Sequence, residues 1–226
     1  MTMPNHALAL RMAELAGVIA MRNVDDVLVE VTAAAQELIP GADVAGVLLI
    51  GKGGTHQTLA PTSDLLFKLD DLQLDTGEGP CLQAALDEVV VRTDDFRAEP
   101  RFPSYAPRVL ELGLRSALSF KLYTADRTAG ALNLFGYQPN LWDADAETIG
   151  TVLAAHAAAA ILASRKGDEL QSALTTRDRI GQAKGVIMER FKIDDVRAFA
   201  MLRQLSQETN TKLIDVAQRI IDSRDD

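Results

Sequence analysis

The chain has 226 residues, 47% apolar but only 5% aromatic, enough to bury one large, mostly aliphatic core or two smaller ones. Its single cysteine, Cys81, excludes an internal disulfide and fits a reducing cytoplasm. The net charge of −9 argues against indiscriminate nucleic-acid binding. It is unevenly spread, with 11 Lys/Arg against 21 Asp/Glu in residues 1–164 and 12 against 11 in residues 165–226, so the two parts are expected to meet different partners.

Residues 1–11 lack the basic-then-apolar order of a signal peptide. The longest uncharged run, 148–164, is alanine-rich and falls short of the roughly 20 strongly apolar residues of a membrane span. The chain therefore reads as soluble and cytoplasmic, with no membrane partner. Helices are predicted over 8–20 and 24–38, the second ended by Pro40-Gly41. The apolar run 44–50 predicts a buried strand, and a turn at 51–54 leads to a returning strand over 55–60. A short helix over 63–72, a loop over 76–80, a helix over 81–86 and a short strand over 89–92 follow. Pro100, Pro103 and Pro107 interrupt the next stretch, with a helix over 105–112. Strands over 116–123 and 129–135 are joined by a turn near Asp126. Asp143 caps a long helix whose Asp145 and Glu147 suit the positive end of its dipole. Strands separated by helices, with hairpins at both ends, describe an α+β domain with an antiparallel sheet.

Five stretches carry a family resemblance: Thr76-Gly-Glu-Gly-Pro-Cys81, Val91-Arg-Thr-Asp-Asp-Phe96, Glu99-Pro-Arg-Phe-Pro103, Gly113-Leu-Arg-Ser-Ala-Leu-Ser119 and Gly130-Ala-Leu-Asn-Leu134. In this order they resemble GAF domains of bacterial regulators, over about residues 10–165. The resemblance implies a small-molecule or redox sensor, or a module that only dimerises. The ligand is left as an unidentified small molecule. The asparagine-lysine-x-aspartate-glutamate pattern of cyclic-nucleotide binders is missing, and His6, His56 and His156 are too scattered for a haem ligand. Metal motifs of the CxxC or HExxH kind are missing too, so no cofactor or metal is expected. A glycine-proline turn at a helix start could lower the pKa of Cys81 and make it a thiol sensor or bilin attachment point. A half-buried structural cysteine is the preferred reading. Glu78 between Gly77 and Gly79 is not a phosphate loop, because no Gly-Lys-Ser/Thr follows.

From Asp143 to the end the chain has no proline. Ile149, Val152, His156, Ala159 and Ala163, then Leu170, Ala173, Arg177, Ile180, Lys184 and Ile187, follow a loose heptad. Six alanines between 154 and 160 would allow close helix approach, and Gly167 is expected to kink or break the helix. A parallel homodimer through this segment and the N-terminal helix is expected, the alternative being a helix packed on its own sheet. Residues 165–226 then make a three-helix bundle. Its first helix runs over 169–191 with Ile180, Ala183, Ile187 and Phe191 on one apolar face. The second, capped by Asp194 or Asp195, turns Val196, Phe199, Leu202 and Leu205 inward. The third starts near Thr211 with Leu213, Val216, Ala217, Ile220 and Ile221 inward, after a tight connection at Asn210.

Ile180, Gln182-Ala-Lys-Gly185, Met188, Ala198-Phe199, Leu202, Ser206, Asn210, Lys212-Leu213 and Val216-Ala217 resemble the ANTAR domain over about 165–222. Lys192-Ile193 departs from the pattern, since a glycine is common there. The resemblance implies a transcription antitermination regulator that binds paired RNA hairpins as a dimer. Hairpin loops expose unstacked bases and phosphates. Arg179, Lys184, Arg203 and Lys212 have the charge to meet phosphates, and Gln182 and Asn210 can read base edges. Gly181 and Gly185, four apart on one side of a helix, would let a partner or a neighbouring helix approach closely. For each charge a solvated helix face is the competing reading, and for Phe199 the core. The alternative function is a DNA-binding transcription regulator with a GAF sensor, but the outward residues of the third helix, Lys212, Asp215, Gln218 and Arg219, are sparse for a DNA groove. A GAF-type sulfoxide reductase would need two or three cysteines, and no catalytic constellation is visible.

Overall fold

A computed structural model of the chain describes residues 13–14, 23–51, 55–122 and 129–223. It divides into two compact units, Met1–Ser164 and Arg165–Asp226. Apart from residues 13–14, which are helical, the helix expected over 8–20 lies outside the described residues. So do most of the turn expected at 51–54 and the turn near Asp126.

The N-terminal unit opens with α1 (Val24–Leu38). Its cap is Asn23, whose Oδ1 accepts from the Asp26 N–H at 2.9 Å. Five strands follow as two hairpins and an edge strand: β1 (Val44–Ile50), β2 (His56–Leu59), β3 (Val90–Thr93), β4 (Ser116–Leu122) and β5 (Ala129–Gly136). The sheet order is β2-β1-β5-β4-β3 and every pairing is antiparallel, so the α+β expectation holds. Both faces of the central strands are covered, which is why β1 reads as an unbroken apolar run. On one face α1 and the start of α5 (Ala144–Phe191) bury Leu28, Val31, Leu118, Phe120, Leu132 and Trp142. On the other lie α2 (Leu65–Thr76), α3 (Pro80–Leu86) and α4 (Ala106–Glu111), burying Leu66, Leu69, Cys81, Tyr105 and Phe135.

The helix expected over 63–72 starts and ends later, because Gly77 (φ 68°) supplies the left-handed terminus. A short 3-10 helix, Phe96–Ala98, was not foreseen. It is set by Asp95, whose carboxylate accepts from the Arg97 N–H at 3.0 Å.

The break expected at Gly167 does not occur, since α5 runs unbroken over 48 residues. One exposed glycine costs a helix about 1 kcal/mol, and the straight side chains of Arg165, Lys166, Leu170 and Gln171 offset it. Asp143 caps this helix as expected, accepting from the Ala146 N–H at 2.8 Å. The face laid on the sheet carries Ala146, Ile149, Leu153, Ala157 and Ile161, so the helix packs on its own sheet. Of the loose heptad, Val152 and His156 are half-buried while Ala159 and Ala163 are exposed. Gly150 explains how closely the helix lies: a Cβ there would come within 2.1 Å of the Phe120 ring. By length and composition α5 contains a stretch apolar enough to cross a membrane, and half of that stretch is buried inside the protein.

The C-terminal unit consists of the end of α5, α6 (Asp195–Glu208) and α7 (Leu213–Asp222). Asp194 caps α6, accepting from the Arg197 N–H at 2.8 Å. The core is Ala183, Ile187, Ala198, Leu202, Val216 and Ala217. Two expected faces are corrected. On α6 the buried stripe is Ala198 and Leu202, which leaves Val196 (75% exposed), Phe199 (41%) and Leu205 (41%) outside. On α5 the stripe stops at Ile187, and Phe191 is exposed.

Asp70, on α2, is buried in the N-terminal unit and accepts the Thr58 hydroxyl at 2.7 Å. Desolvation pushes its carboxyl up to about 6, outweighing the Thr58 hydrogen bond. A folded-state value above the unfolded one means that its stabilising contribution is complete below about pH 4 and lost as pH rises through about 6. Asp70→Asn is therefore expected to stabilise this unit at pH 7 by up to about 3 kcal/mol. It should also flatten the pH dependence of unfolding between pH 4 and 7, measured by denaturant titration.

Candidate nucleic-acid interface

Burying Ala183 and Ile187 fixes the azimuth of the last turns of α5. Arg179, Gly181, Gln182 and Gly185 consequently face outward. A Cβ added at Gly181 or Gly185 would meet nothing within 4 Å, so neither glycine serves close packing inside the chain. Both leave bare helix backbone on the surface.

Two grooves flank this strip. The larger, about 1130 Å³, is lined along α5 by Ser172, Thr176, Arg177, Gly181, Gln182 and Lys184 and closed on one side by Phe199 of α6. Asp168 and Asp178 also border it, so its charge is mixed. The smaller, about 570 Å³, is lined by Gln182, Gly185, Val186, Glu189, Arg190 and Ile221. Of the expected contact residues, Gln182 and Lys184 meet in the first groove and Gln182 and Gly185 in the second. Arg179, Arg203, Asn210 and Lys212 are exposed but line neither.

Lys184 is more constrained than its sequence suggested. Its ammonium pairs with the carboxylate of Asp195 and lies 5.9 Å from the centre of the Phe199 ring. Only 22% of the side chain is exposed. It thus joins α5 to the first turn of α6, where Asp195 is favoured by the helix dipole. An effect of Lys184→Ala on binding alone is not to be expected, since the substitution also removes a contact of the fold.

Asn210 has a backbone role. At φ 46° it is the left-handed residue that ends α6. Its N–H donates to the Gln207 carbonyl at 3.3 Å and the Thr211 N–H to the Ser206 carbonyl at 3.1 Å, the paired bonds of a Schellman ending. Lys192 occupies the same region at φ 53°, just beyond α5. The residue that departs from the family pattern therefore sits where glycine is conformationally favoured.

Sequence reasoning missed Ser172, Thr176, Arg177 and the exposed ring of Phe199. The signal was present: 168, 172, 176, 180 and 184 recur every fourth residue and trace one side of α5.

In the N-terminal unit the shared motifs have structural partners. Glu78 accepts from the Ser104 N–H (2.7 Å), the Ser104 hydroxyl (2.9 Å) and the Tyr105 N–H (3.2 Å), ahead of α4. These bonds outweigh the cost of desolvation and hold its carboxyl below the usual range. Asp95 is bridged by Arg97 at 2.8 Å and Arg115 at 2.9 Å and is held low. Cys81 is fully buried, so the lowered pKa considered for a helix start is corrected. Desolvation and the nearby Asp70 push its thiol up. His56 lies 3.2 Å from Asp71, and His156 Nδ1 lies 2.9 Å from the Val152 carbonyl. Among the described residues no group of three His, Cys, Asp or Glu side chains is placed to hold a metal ion.

The chain belongs to the GAF domain family, whose model matches residues 21–162, and an ANTAR domain model matches residues 168–221. This pairing is that of a regulator. No curated protein matches the chain in sequence. Among solved structures it is similar to the GAF domain of a phosphoenolpyruvate-protein phosphotransferase from Coxiella burnetii. That match has 17% identity and a TM-score of 0.58, covering 74% of this chain and 99% of that one. It is also similar to free methionine-R-sulfoxide reductase from Neisseria meningitidis (17%, 0.53, 74% and 95%). A third is a GAF domain from Synechocystis in its photoproduct state (12%, 0.53, 66% and 99%). At these identities the likeness shows the fold alone.

Two stability predictions follow from the helix junctions. Lys192→Gly should stabilise the C-terminal unit by about 1 kcal/mol, since glycine removes the Cβ penalty of the left-handed region. A double-mutant cycle on Lys184→Ala and Asp195→Ala should return a coupling of about 0.5–1 kcal/mol, since the Asp195 carboxylate remains solvated while the Lys184 side chain is mostly covered. Both are read from chemical denaturation of the C-terminal transition.

Proposed function

We propose that the protein is a transcription antitermination regulator that binds paired RNA hairpins through its ANTAR domain as a homodimer, with the GAF unit as sensor and dimerisation module. The observation that carries this reading is the outward strip of Gly181, Gln182 and Gly185. It lies within the ANTAR match, has open space over both glycines and is flanked by a groove bearing Arg177, Lys184 and the Phe199 ring. Bare helix backbone admits a phosphate-sugar chain at close range, Gln182 can donate and accept at a base edge, and an unstacked loop base can lie on an exposed aromatic ring. The mixed charge of the groove suits a few placed contacts rather than a broad basic surface. Arg179, Arg203, Asn210 and Lys212 lie away from these grooves and serve, in this reading, as peripheral phosphate or loop contacts. Exposed Leu170 and Leu174, one turn apart on α5, supply an apolar surface for a second copy.

Binding is tested by titrating the full chain against paired-hairpin RNA, the same RNA with its loops replaced, and duplex DNA, each at two salt concentrations. The salt slope should be modest, on the order of −3 to −5, with two modules each neutralising two or three phosphates. Gln182→Ala should weaken hairpin binding by about 1–3 kcal/mol, and loop-replaced RNA and DNA should bind weakly. Equal or tighter binding to duplex DNA would favour a DNA-binding regulator instead. Sedimentation at micromolar concentration should give about twice the 24.4 kDa chain mass, and a monomer alone would overturn the dimer.

A further inference from the structure

Two cations line the larger groove of the C-terminal unit, Arg177 and Lys184, and Lys184 is already engaged within the chain. The burial of Ala183 and Ile187 puts Lys184 at the edge of the core, from which its stem reaches the first turn of α6. There its ammonium meets the Asp195 carboxylate, 5.9 Å from the centre of the Phe199 ring. Asp195 is not needed to end the helix, because Asp194 is the cap that accepts from the Arg197 N–H. The Asp195 side chain is 63% exposed. A solvated carboxylate of this kind turns to water at little cost when another anion takes its partner.

The surrounding charges sharpen the point. In the groove itself Arg177 and Lys184 are matched by Asp168 and Asp178, and Asp195, beside it, adds a further carboxylate directed at Lys184 alone. A phosphate entering the groove therefore meets an ammonium that is already neutralised, and two anions compete for one cation. The exchange also has a salt signature. The nucleic acid releases a counterion when Lys184 takes its phosphate, but the freed Asp195 carboxylate attracts one, so the contact adds little to the salt dependence of binding. An unpaired lysine at the same place would add a full contact, about 0.7 to 0.9 in the slope.

We propose that Asp195 is an intramolecular competitor of the RNA phosphate for Lys184, an affinity-setting residue that keeps the grip of each C-terminal unit weak. The proposal rests on the RNA-binding reading of this groove. Its consequence is a threshold: one unit alone holds an isolated hairpin poorly, whereas two linked units multiply their affinities on paired hairpins. The competition is worth about two- to fivefold in affinity for each unit engaged, the range of a partly exposed ion pair. Because the same pair joins α5 to α6, removing the Asp195 charge acts in opposite directions, loosening the C-terminal unit slightly and tightening RNA binding.

The test titrates the full chain and its variants against paired-hairpin RNA and loop-replaced RNA at two salt concentrations. Asp195→Asn keeps the size of the side chain and leaves the Asp194 cap in place, so α6 is retained. It should bind paired-hairpin RNA more tightly, by about two- to fivefold for each unit engaged, with a salt slope steeper by about 0.7 to 0.9 per unit. In a Lys184→Met background, which keeps the stem and removes the ammonium, Asp195→Asn should produce neither change. Asp178→Asn, which removes a charge lining the same groove, should give a smaller gain. The proposal is overturned if Asp195→Asn tightens binding to neither RNA, if its gain survives in the Lys184→Met background, or if Asp178→Asn matches it. Lost stability does not mimic the expected result, because it weakens binding. A parent chain that binds paired-hairpin RNA no better than loop-replaced RNA counts against the antitermination reading instead. The loop-replaced arm then decides the competition, since a Lys184-dependent gain is expected there as well.

Discussion

The surface of the C-terminal unit follows from one constraint, the burial of Ala183 and Ile187 against Ala198, Leu202, Val216 and Ala217. An α-helix advances about 100° per residue. Once positions 183 and 187 are inside, 181, 182 and 185 must lie outside, and 184 must lie at the boundary. Lys184 accordingly bridges to Asp195 and the Phe199 ring, whereas Gly181 and Gly185 face open space. The same small residues that let α5 approach its neighbours, Ala183, Ala198 and Ala217, keep the bundle thin. A thin bundle leaves Phe199, Val196 and Phe191 at its surface rather than in its core.

In the GAF unit the shared motifs act at helix ends and loop crossings. Glu78 ties the loop after α2 to the start of α4, and Asp95 fixes the 3-10 turn and meets Arg115, while Gln73, outside the motifs, accepts from the first turn of α3. Each replaces a missing intrahelical partner at a helix terminus. Motif similarity here therefore reports a scaffold. The Asn133 side chain has no hydrogen-bond partner, and Asp70 leaves one carboxylate oxygen unpaired.

The strands were legible in the sequence because apolar alternation and turn residues act locally. The run 44–50 became β1 with the expected bounds, and the hydrophobic spacing of α7 matched its buried Val216 and Ala217. The burial of Asp70, Gln73 and Asn133 was not legible, because it is set by the packing of helices on the sheet and not by any local pattern. Gly167 misled because a helix between strong formers tolerates one glycine. Phe199 misled because an aromatic residue at helical spacing suggests core, and only the placement of Leu202 settles which stripe turns inward. The positive φ of Lys192 was hinted at by its departure from the family pattern, although nothing local to the sequence required it.

The central claim is that the bare backbone at Gly185 serves a partner outside the chain and nothing within it. The most direct measurement pairs the stability of Gly185→Ala with its affinity for paired-hairpin RNA. The account predicts opposite signs: a C-terminal unit more stable by about 1 kcal/mol, from helix propensity alone, together with at least about a tenfold loss of RNA affinity, about 1.4 kcal/mol. A variant that is more stable and binds RNA as well as the parent would contradict it.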